Sequence, residues 1–310
     1  MKAVRAVPPG VKVVQVDEPQ GDAELIKVNA VGICASDWNY IRRGSGQILG
    51  HEISGVASDG TPVVVEAVFG CGECRWCEQG RFNLCRLAGS DILGLTTPGG
   101  MSEYFRVPRT SLVPIPEELP AEDACLAEPG AVAWHAVRKT EITADTRVAV
   151  VGGGVIGLFA VLAAQAQGAA EVSLEARYPH QIEAGDRFGA TRPSGDYDVV
   201  IEASGSESGL ARAFELARPL GVVCSVSVYP PDITWPYRVS FLKEVRLIPS
   251  IAYDRHDNGV SELAHVMAML AARPEIAQAL ITHRFEMDEA ERAFQVAAQR
   301  KGAFRVVVHP

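Results

Sequence analysis

The segment RVAVVGGGVIGLFAVLAAQAQGAAEVSLEAR, residues 147–177, decides the fold of this chain. A short apolar strand begins at Arg147 and runs into three glycines. A helix rich in Ala and Leu then extends from Val155 to Gly168, where glycine ends it. A second strand, EVSLEA, follows. Strand, glycine turn, helix and strand in this order predict an α/β unit whose parallel sheet is covered by helices on both faces.

Three of these glycines form the pattern G-x-G-x-x-G. The first, Gly152, permits a tight turn, the second, Gly154, lets the backbone approach a pyrophosphate, and the third, Gly157, lets the helix pack on the strand. The helix N-terminus presents free N–H groups to the phosphates. A glycine-rich turn without a nucleotide is the alternative. The predicted cofactor contacts here are Gly152, Gly154, Val155, Ile156, Gly157 and Ser204.

The end of the second strand bears on which nicotinamide cofactor is used. An acid about twenty residues past the glycines binds the ribose 2′-hydroxyl in NAD enzymes, but here Ala176 stands at that place. A small residue followed by Arg177 removes the repulsion of a 2′-phosphate and supplies a partner for it. We therefore predict NADP in preference to NAD, with Arg177 as the main contact and Tyr178 stacking nearby. In the alternative, Arg177 is only a solvated surface residue and Glu175 binds the ribose.

Composition limits the classes of partner. The 310 residues suggest two domains, and a net charge of −9 argues against nucleic acid and against an anionic membrane surface. The N-terminal MKAVRAVPPG does not resemble a secretory signal, and no apolar run is long enough to span a membrane. We therefore expect a cytoplasmic protein, in which clustered cysteines bind metal more often than they form disulfides.

The regions outside the deciding segment differ in character. Before Glu128 the chain has short Val-rich runs broken by Gly and Pro, such as VKVVQV and TPVVVEAV, which predict a mainly β region. The tail ITHRFEMDEAERAFQVAAQRKGAFRVVVHP predicts a strand, a helix and a closing strand that returns to this β region. We therefore divide the chain into one domain of residues 1–128 and 253–310 and a dinucleotide-binding domain of residues 129–252.

Four cysteines lie in the short segment CGECRWCEQGRFNLC. Their spacing, C-x2-C-x2-C-x7-C, can close a tetrahedral zinc shell with no open position, which predicts a structural zinc. Two disulfides, an iron–sulfur cluster and a zinc-stabilised nucleic-acid-binding finger are less consistent with the absence of a signal, with the spacing and with the acidic charge. The four predicted ligands are Cys71, Cys74, Cys77 and Cys85.

A second set of metal-binding residue types precedes this loop. Cys34 stands in GICASD, and His51 and Glu52 stand in GHE. A thiolate, an imidazole and a carboxylate can bind zinc and leave a fourth position open, where zinc would lower the pKa of an alcohol. Taken singly, each residue has a plainer interpretation: a small buried cysteine, a core histidine and an acid outside the metal shell.

These motifs occur in one order, together with AEP around Glu128. In that combination, nearly the whole chain resembles the zinc-containing medium-chain dehydrogenase/reductase family, and its glutamates resemble those of the sorbitol, polyol and sugar dehydrogenases. The resemblance implies a GroES-like β-rich catalytic domain and a Rossmann domain with a doubly wound parallel sheet. It also implies an enzyme that transfers a hydride between a secondary alcohol and NADP(H) or NAD(H). The alcohol would be a polyol, a sugar or a specialised biosynthetic alcohol, with a ketone as the oxidised partner.

The resemblance also implies roles for individual residues. Cys34 and His51, with Glu52 or Glu128, would hold the catalytic zinc, and the two glutamates would exchange as ligands. Ser36 matches the hydroxyl that takes the alcohol proton, although a turn-capping hydroxyl is an alternative.

Three further positions concern the substrate and the proton path. Tyr40 matches a position near the substrate. Asn39 replaces a histidine that passes the proton to solvent in many members, and an amide cannot act as a base. His135 is one candidate for that task, and a structural histidine is the other interpretation.

Family members are usually dimers or tetramers that pair the last Rossmann strand, here near VRLIPSIA, so a homodimer or homotetramer is expected. Two alternatives stay open: a zinc-independent NADPH double-bond reductase of the same fold, and a non-enzymatic nucleotide-binding relative.

Overall fold

The structure is a computed structural model that describes residues 1–255, 259–299 and 302–310. It separates into two compact units, one formed by Met1–Glu128 and Tyr253–Pro310 and the other by Pro129–Ala252. Within the predicted segment 253–310, residues 256–258 and 300–301 lie outside the described residues. In the part of the chain that the structure describes, no helix is both long enough and apolar enough to cross a bilayer.

The first unit is mainly β, as the sequence predicts, and both ends of the chain contribute to it. Its strands are β1 (Lys2–Val7), β2 (Gly10–Gln15), β3 (Glu24–Gly32), β4 (Glu52–Ala57), β5 (Pro62–Val65), β6 (Tyr104–Val107), β7 (Leu112–Pro114), β13 (Ile281–Glu286) and β14 (Arg305–His309). Its helices are α1 (Asp37–Arg42), α2 (Arg75–Glu78), α8 (Glu262–Ala272), α9 (Glu275–Leu280) and α10 (Ala290–Ala298).

The central strand of this unit is β3. The sheet runs in the order β13-β14-β3-β4-β5-β7, with β6 also paired to β3, while β1 and β2 form a separate hairpin. Along β3, Ile26, Val28 and Ala30 are buried at alternate positions, as a strand with one face on a core requires. Antiparallel pairing sets Gly32 at the end of β3 opposite Glu52 at the start of β4. This register brings together two chain segments that carry predicted metal ligands.

The second unit contains a five-stranded parallel sheet in the order β12-β11-β10-β8-β9. Its strands are β8 (Arg147–Val151), β9 (Glu171–Glu175), β10 (Tyr197–Glu202), β11 (Ala217–Ser225) and β12 (Arg246–Pro249). Its helices are α4 (Val155–Ala166), α5 (Pro179–Arg187), α6 (Glu207–Leu216) and α7 (Tyr237–Lys243), and α3 (Ala127–Arg138) leads into it.

The parallel sheet confirms the predicted Rossmann-type fold class. The strand β8 lies between β9, which follows it in sequence, and β10, which comes later. The strand order therefore reverses at β8, and ligands of such sheets bind at the carboxyl ends of the strands where this reversal occurs. The glycine motif, which directly follows β8, lies at that point.

Candidate functional site

The four cysteines of the loop come together as a compact cluster. Their sulfur atoms all lie within 4.8 Å of one another, and the Sγ atoms of Cys74 and Cys77 are 3.6 Å apart. Short helices bring them together: α2 begins after Cys74, and a 3-10 turn over Phe82–Leu84 delivers Cys85. The arrangement is local, because one segment of the chain supplies every sulfur.

Backbone N–H groups surround the sulfurs. Cys71 and Leu87 each donate an N–H hydrogen bond to Cys85 Sγ, at 3.4 Å, and these bonds lower the pKa of Cys85 to about 6. Burial raises the pKa of Cys77 to about 12. A Cβ on Gly70 would lie 2.5 Å from Cys77 Sγ, so this position must be glycine for the sulfur to fit. Four thiols packed this closely, one of them favoured as a thiolate, suit a bound divalent cation.

The second cluster contains Cys34, His51 and Glu52, whose ligand atoms also lie within 4.8 Å of one another. Unlike the cysteine loop, it is assembled from two segments that are distant in sequence and joined by the pairing of β3 with β4. Among the described residues, Glu128 is not part of this tight group.

The polar atoms of this second cluster are buried and poorly satisfied. Glu52 is 1% exposed, and neither of its oxygens accepts a hydrogen bond of good geometry within the described ranges, although Oε1 forms a 3.0 Å ion pair with Arg305. The same holds for His51 Nδ1, which lies 3.6 Å from Asp37 Oδ1. Buried polar atoms without partners carry a free-energy penalty, which a cation coordinated by sulfur, nitrogen and oxygen would relieve. The donor set fits zinc.

Asp37 is a further residue of this site, and it is not among the residues predicted from the sequence. It is fully buried, its Oδ2 accepts a 2.9 Å hydrogen bond from the Cys34 N–H, and burial raises its pKa to about 6. Burial lowers the pKa of His51, but Cys34, Asp37 and Glu128 raise it more, to well above the usual value. Asp37 therefore holds the Cys34 turn and faces the histidine ring, the role that carboxylates commonly have behind metal-binding imidazoles. Its position three residues after Cys34 was the available sequence signal.

Arg305 is a second site residue that is not among those predicted from the sequence. It opens β14, is buried, and its Nη1 lies 3.0 Å from Glu52 Oε1 and donates a 2.5 Å hydrogen bond to the Ile33 carbonyl. The other oxygen of Glu52 occupies the space above Gly32, where a Cβ would lie 2.1 Å from it. The Glu52 carboxylate is thus fixed between a buried guanidinium and a glycine.

Glu128 lies close enough to this cluster to interact with it electrostatically. Burial raises its pKa to about 7, while the charge of His51 opposes that rise. The hydroxyl of the fully buried Tyr253 hydrogen-bonds with Glu128 and accepts a 2.8 Å bond from the Ala67 N–H. Glu128 is therefore held by a tyrosine at the edge of the cluster.

The hydroxyl of Ser36 lies 3.3 Å from His51 Nε2 and makes no cap hydrogen bond to α1, which removes the simple turn-capping interpretation. Tyr40 is half-buried beneath Arg43, whose guanidinium carbon is 5.8 Å from the ring centre.

Asn39 is exposed and accepts a hydrogen bond from Arg42. His135 is buried on α3, and its Nδ1 lies 3.1 Å from Arg138 Nη2.

In the second unit, the three motif glycines each meet a different requirement. Gly152 has φ +111°, and a Cβ there would lie 2.7 Å from the backbone of Ala203 and of Ser204. A Cβ on Gly157 would lie 1.7 Å from the Gly152 carbonyl oxygen. A Cβ on Gly154 would meet nothing within 4 Å, and α4 begins with Val155 and Ile156 without a side-chain cap. The open space at Gly154 can accommodate a phosphate, and the uncapped N–H groups can donate hydrogen bonds to it.

The end of β9 shows how its charged side chains are engaged. The Glu175 carboxylate accepts hydrogen bonds from Arg212 Nε on both oxygens, at 3.1 and 2.8 Å. Arg177 is exposed, and its guanidinium carbon lies 5.5 Å from the Tyr178 ring centre. The Tyr178 ring stacks on His180 at 5.8 Å. Arg177 and Tyr178 are thus adjacent and accessible, while Glu175 already has a cationic partner.

Ser204 lies in a loop that is organised by a buried acid. Glu202, at the end of β10, is fully buried, and its Oε1 accepts hydrogen bonds from the N–H groups of Ser204 at 2.8 Å and Gly205 at 3.2 Å. Its other oxygen accepts a hydrogen bond from the Tyr229 hydroxyl. Nothing in the local sequence distinguishes Glu202 from an ordinary last residue of an apolar strand.

The chain is similar in sequence and fold to alcohol and polyol dehydrogenases. Residues 20–117 match the family model of the alcohol dehydrogenase GroES-like domain. The sorbitol dehydrogenase of Bacillus subtilis (strain 168) is 29% identical, over 93% of this chain and 90% of that protein. The D-xylulose reductase A of Aspergillus oryzae is 27% identical, over 90% of this chain and 87% of that protein.

Solved structures of dehydrogenases are also similar to this chain over its full length. L-idonate 5-dehydrogenase from Escherichia coli has a TM-score of 0.87 and 26% identity, covering 100% of this chain and 97% of that one. A protein from Sinorhizobium meliloti 1021 described as a zinc-binding dehydrogenase, bound to NADP, has a TM-score of 0.84 and 29% identity, covering 100% and 99%.

Proposed function

We propose that this chain is a member of the zinc-containing medium-chain dehydrogenase/reductase family, to which its sequence and fold are similar, and that it is a zinc-dependent alcohol dehydrogenase that transfers a hydride between a small-molecule alcohol and NADP or NAD. The observation that carries the proposal is the cluster of the partly buried Cys34 with the buried His51 and Glu52, whose donor atoms lie within 4.8 Å of one another. The division of labour follows the two units: residues 1–128 and 253–310 form the GroES-like catalytic domain, and residues 129–252 bind the dinucleotide.

The residues of the catalytic cluster have separate tasks in this proposal. Cys34, His51 and Glu52 or Glu128 hold a zinc ion that, when bound, lowers the pKa of the substrate hydroxyl. Ser36 Oγ, which lies 3.3 Å from His51 Nε2, would take the proton of that hydroxyl while releasing its own proton to water. Asp37 and Arg305 do not bind the zinc in this proposal but contact the residues that do.

Asp37 keeps Cys34 and the imidazole oriented, and Arg305 balances the Glu52 charge. Loss of the alcohol proton leaves the carbinol C–H bond free to donate its hydride to the nicotinamide. Exchange between the two glutamates is consistent with their different anchors, Arg305 for one and Tyr253 for the other.

The second zinc belongs to Cys71, Cys74, Cys77 and Cys85, and its role is structural because four sulfurs leave no open position. None of the seven cysteines, all of which lie in the described ranges, forms a disulfide, and this is consistent with the proposed cytoplasmic location.

NADP is the proposed cofactor in preference to NAD. Its pyrophosphate would lie at Gly152, Gly154, Val155, Ile156 and Gly157, with Ser204 nearby. The support for NADP is the absence of an acid at Ala176 and, beside it, the exposed Arg177 with the half-buried Tyr178 ring next to it. The protein from Sinorhizobium meliloti offers a relative with NADP bound.

The substrate class in this proposal is a secondary alcohol of the polyol or sugar type. The relatives with similar sequences or structures are named as dehydrogenases or reductases of sorbitol, xylulose, idonate and galactitol 1-phosphate. Tyr40 is the aromatic residue proposed to lie beside the substrate.

A homodimer or homotetramer is part of the proposal. The strand β12 is at the edge of the parallel sheet, and α7 before it exposes large apolar side chains. Exposed apolar surface next to an unpaired edge strand favours pairing with a second copy. The exposed side chains concerned are Tyr237, Phe241, Leu242 and Ile251.

The test is a rate screen of purified, zinc-loaded protein with NADP or NAD against polyols, aldoses, simple alcohols and cyclic secondary alcohols. Reduced cofactor should appear with a secondary alcohol, and faster with NADP than with NAD. Turnover of conjugated enones by protein that lacks the catalytic zinc would instead identify a double-bond reductase. Silence with every substrate, with both zinc ions present, would contradict the polyol and sugar assignment.

A further inference from the structure

An ion pair at the cofactor end of the second unit has no role in the proposed function. Glu175 is the last residue of β9, and Arg212 on α6 donates from Nε to both of its carboxylate oxygens, at 3.1 and 2.8 Å. The two side chains are 38% and 39% exposed, and ion pairs this accessible contribute little to stability. We therefore expect this ion pair to affect the binding of a ligand next to it more than the stability of the fold.

The location of Glu175 relates it to the ribose. The Gly152 N–H donates a 2.9 Å hydrogen bond to the Glu175 carbonyl, and a Cβ on Gly153 would lie 2.6 Å from the Cβ of Ala176. The end of β9 is thus in direct contact with the glycine loop. In sheets of this type, an acid at that strand end binds the ribose 2′-hydroxyl and selects NAD. An unneutralised Glu175 would disfavour a 2′-phosphate, which carries about −1.5 to −2 charges near neutral pH.

We propose that Arg212 is a specificity-determining residue that enables NADP binding by engaging and neutralising Glu175. It draws the carboxylate toward α6, so that Ala176 and Arg177 alone face the ribose 2′ position. This inference rests on the NADP preference in the proposed function and deepens it. Arg212 acts through Glu175 and needs no contact with the cofactor, and this distinguishes it from Arg177.

The experiment is a double-mutant cycle in cofactor affinity, measured by calorimetry or by protein fluorescence without any turnover. Dissociation constants for NADP and NAD are compared in the wild type, Arg212→Met, Glu175→Gln and the double variant. Arg212→Met should lower the ratio of NADP to NAD affinity about tenfold, because the freed acid repels the phosphate. Glu175→Gln alone should change the ratio by less than about twofold. In the Glu175→Gln background, Arg212→Met should have almost no effect.

A matched control is Arg218→Met. It removes a comparable ion pair of the same unit, between Arg218 Nε and Asp198 Oδ1 at 2.6 Å, and should leave the ratio unchanged. Arg212→Lys, which keeps the charge but not the guanidinium bonds to both oxygens, should give an intermediate ratio and serves if Arg212→Met folds poorly.

Two results would overturn the inference: an unchanged ratio in Arg212→Met, or a tenfold loss that persists when Glu175 is already Gln, which would mean that Arg212 binds the phosphate itself. Failure of the proposed cofactor preference looks different. A wild type that binds NAD more tightly, and that is insensitive to Arg177→Ala, contradicts the preference, while coupling between Arg212 and Glu175 in the cycle would still support the inference.

Discussion

The cysteine loop of residues 71–85 and the Cys34–His51–Glu52 cluster lie in the same unit but are built differently. The loop takes all four sulfurs from one segment, and its support is local, mainly backbone N–H groups and Gly70. The second cluster needs the β3–β4 register and is enclosed by buried charges from distant parts of the chain. A metal can therefore be expected to fold the first site, whereas the fold forms the second site and leaves its polar atoms available for chemistry.

The largest difference between the sites should appear in turnover. Cys34→Ser removes one of three closely spaced ligands, so alcohol oxidation should fall at least about 1000-fold, equivalent to about 4 kcal/mol in the barrier. The melting temperature should change by only about 3 °C or less, because the fold does not depend on this metal. Cys224→Ala, which removes a buried thiol from the other unit, is the control and should retain activity. Activity near that of the wild type in Cys34→Ser would remove the catalytic assignment.

Cys77→Ser should have the opposite profile. Zinc-binding energy at a four-cysteine site is folding energy, so we expect a loss of about 4 kcal/mol of stability, a drop of about 10 °C in Tm, and poor expression. Any folded fraction should keep its catalytic zinc and some turnover. The control is Glu73→Gln, an exposed substitution in the same loop. Equal Tm values for Cys77→Ser and the control would show that the loop does not depend on a metal.

A smaller effect should appear in the pH dependence of the free energy of unfolding. Burial raises the pKa of Glu128 to about 7, so the folded chain binds this proton more tightly than the unfolded chain does. Stability should therefore decrease as pH rises from about 4.5 to about 7, by up to about 3 kcal/mol from this group.

The effect is best measured in Cys34→Ser protein, which keeps the structural zinc and lacks the catalytic one. Urea unfolding across pH 5–8 should show this loss, and addition of Glu128→Gln should flatten it. Parallel pH curves with and without Glu128→Gln would contradict the assignment of a raised pKa to Glu128.

The smallest predicted effect concerns Tyr253, which connects the two regions. Its ring packs edge-on against Phe82 of the cysteine loop at 6.3 Å, and its hydroxyl bonds with Glu128 and Ala67. Tyr253→Phe leaves the Ala67 N–H without its acceptor, which should cost about 1–2 kcal/mol and lower kcat more than it changes KM. The control is Tyr104→Phe on β6. A Tyr253→Phe protein with unaltered stability and kcat would show that the two sites are independent.

The same contrast explains what the sequence could predict. The cysteine quartet and the glycine motif are each contained in one short segment, so their spacing alone indicates their geometry. The strands β8 and β9 were predictable because each is a short, largely apolar run beside the glycine motif or its helix. The short helices α1 and α2 were not, since six and four residues are too few to display helical periodicity.

The residues that the sequence did not reveal act through long-range packing. The sequence indicates only that Arg305 is a polar residue at the start of a strand. The pairing of β14 with β3 brings it next to Glu52 of the second cluster. The sequence indicates only that Arg212 is an exposed helical residue. In the structure it donates a hydrogen bond to Glu175. The spacing of Asp37 from Cys34 could have indicated that it lies near the site, but the sequence does not indicate that it is buried. Charges that balance one another across the fold cannot be derived from local patterns, because their partners are fixed by tertiary contacts.

The most direct measurement of the proposed two-site arrangement is the zinc content per chain of purified wild-type and Cys34→Ser protein, determined by elemental analysis after dialysis. Two zinc ions in the wild type and one in Cys34→Ser are the predicted result, since the quartet should keep its metal when the second cluster loses its own. One zinc ion in both proteins would contradict the catalytic zinc and, with it, the assignment as a zinc-dependent alcohol dehydrogenase.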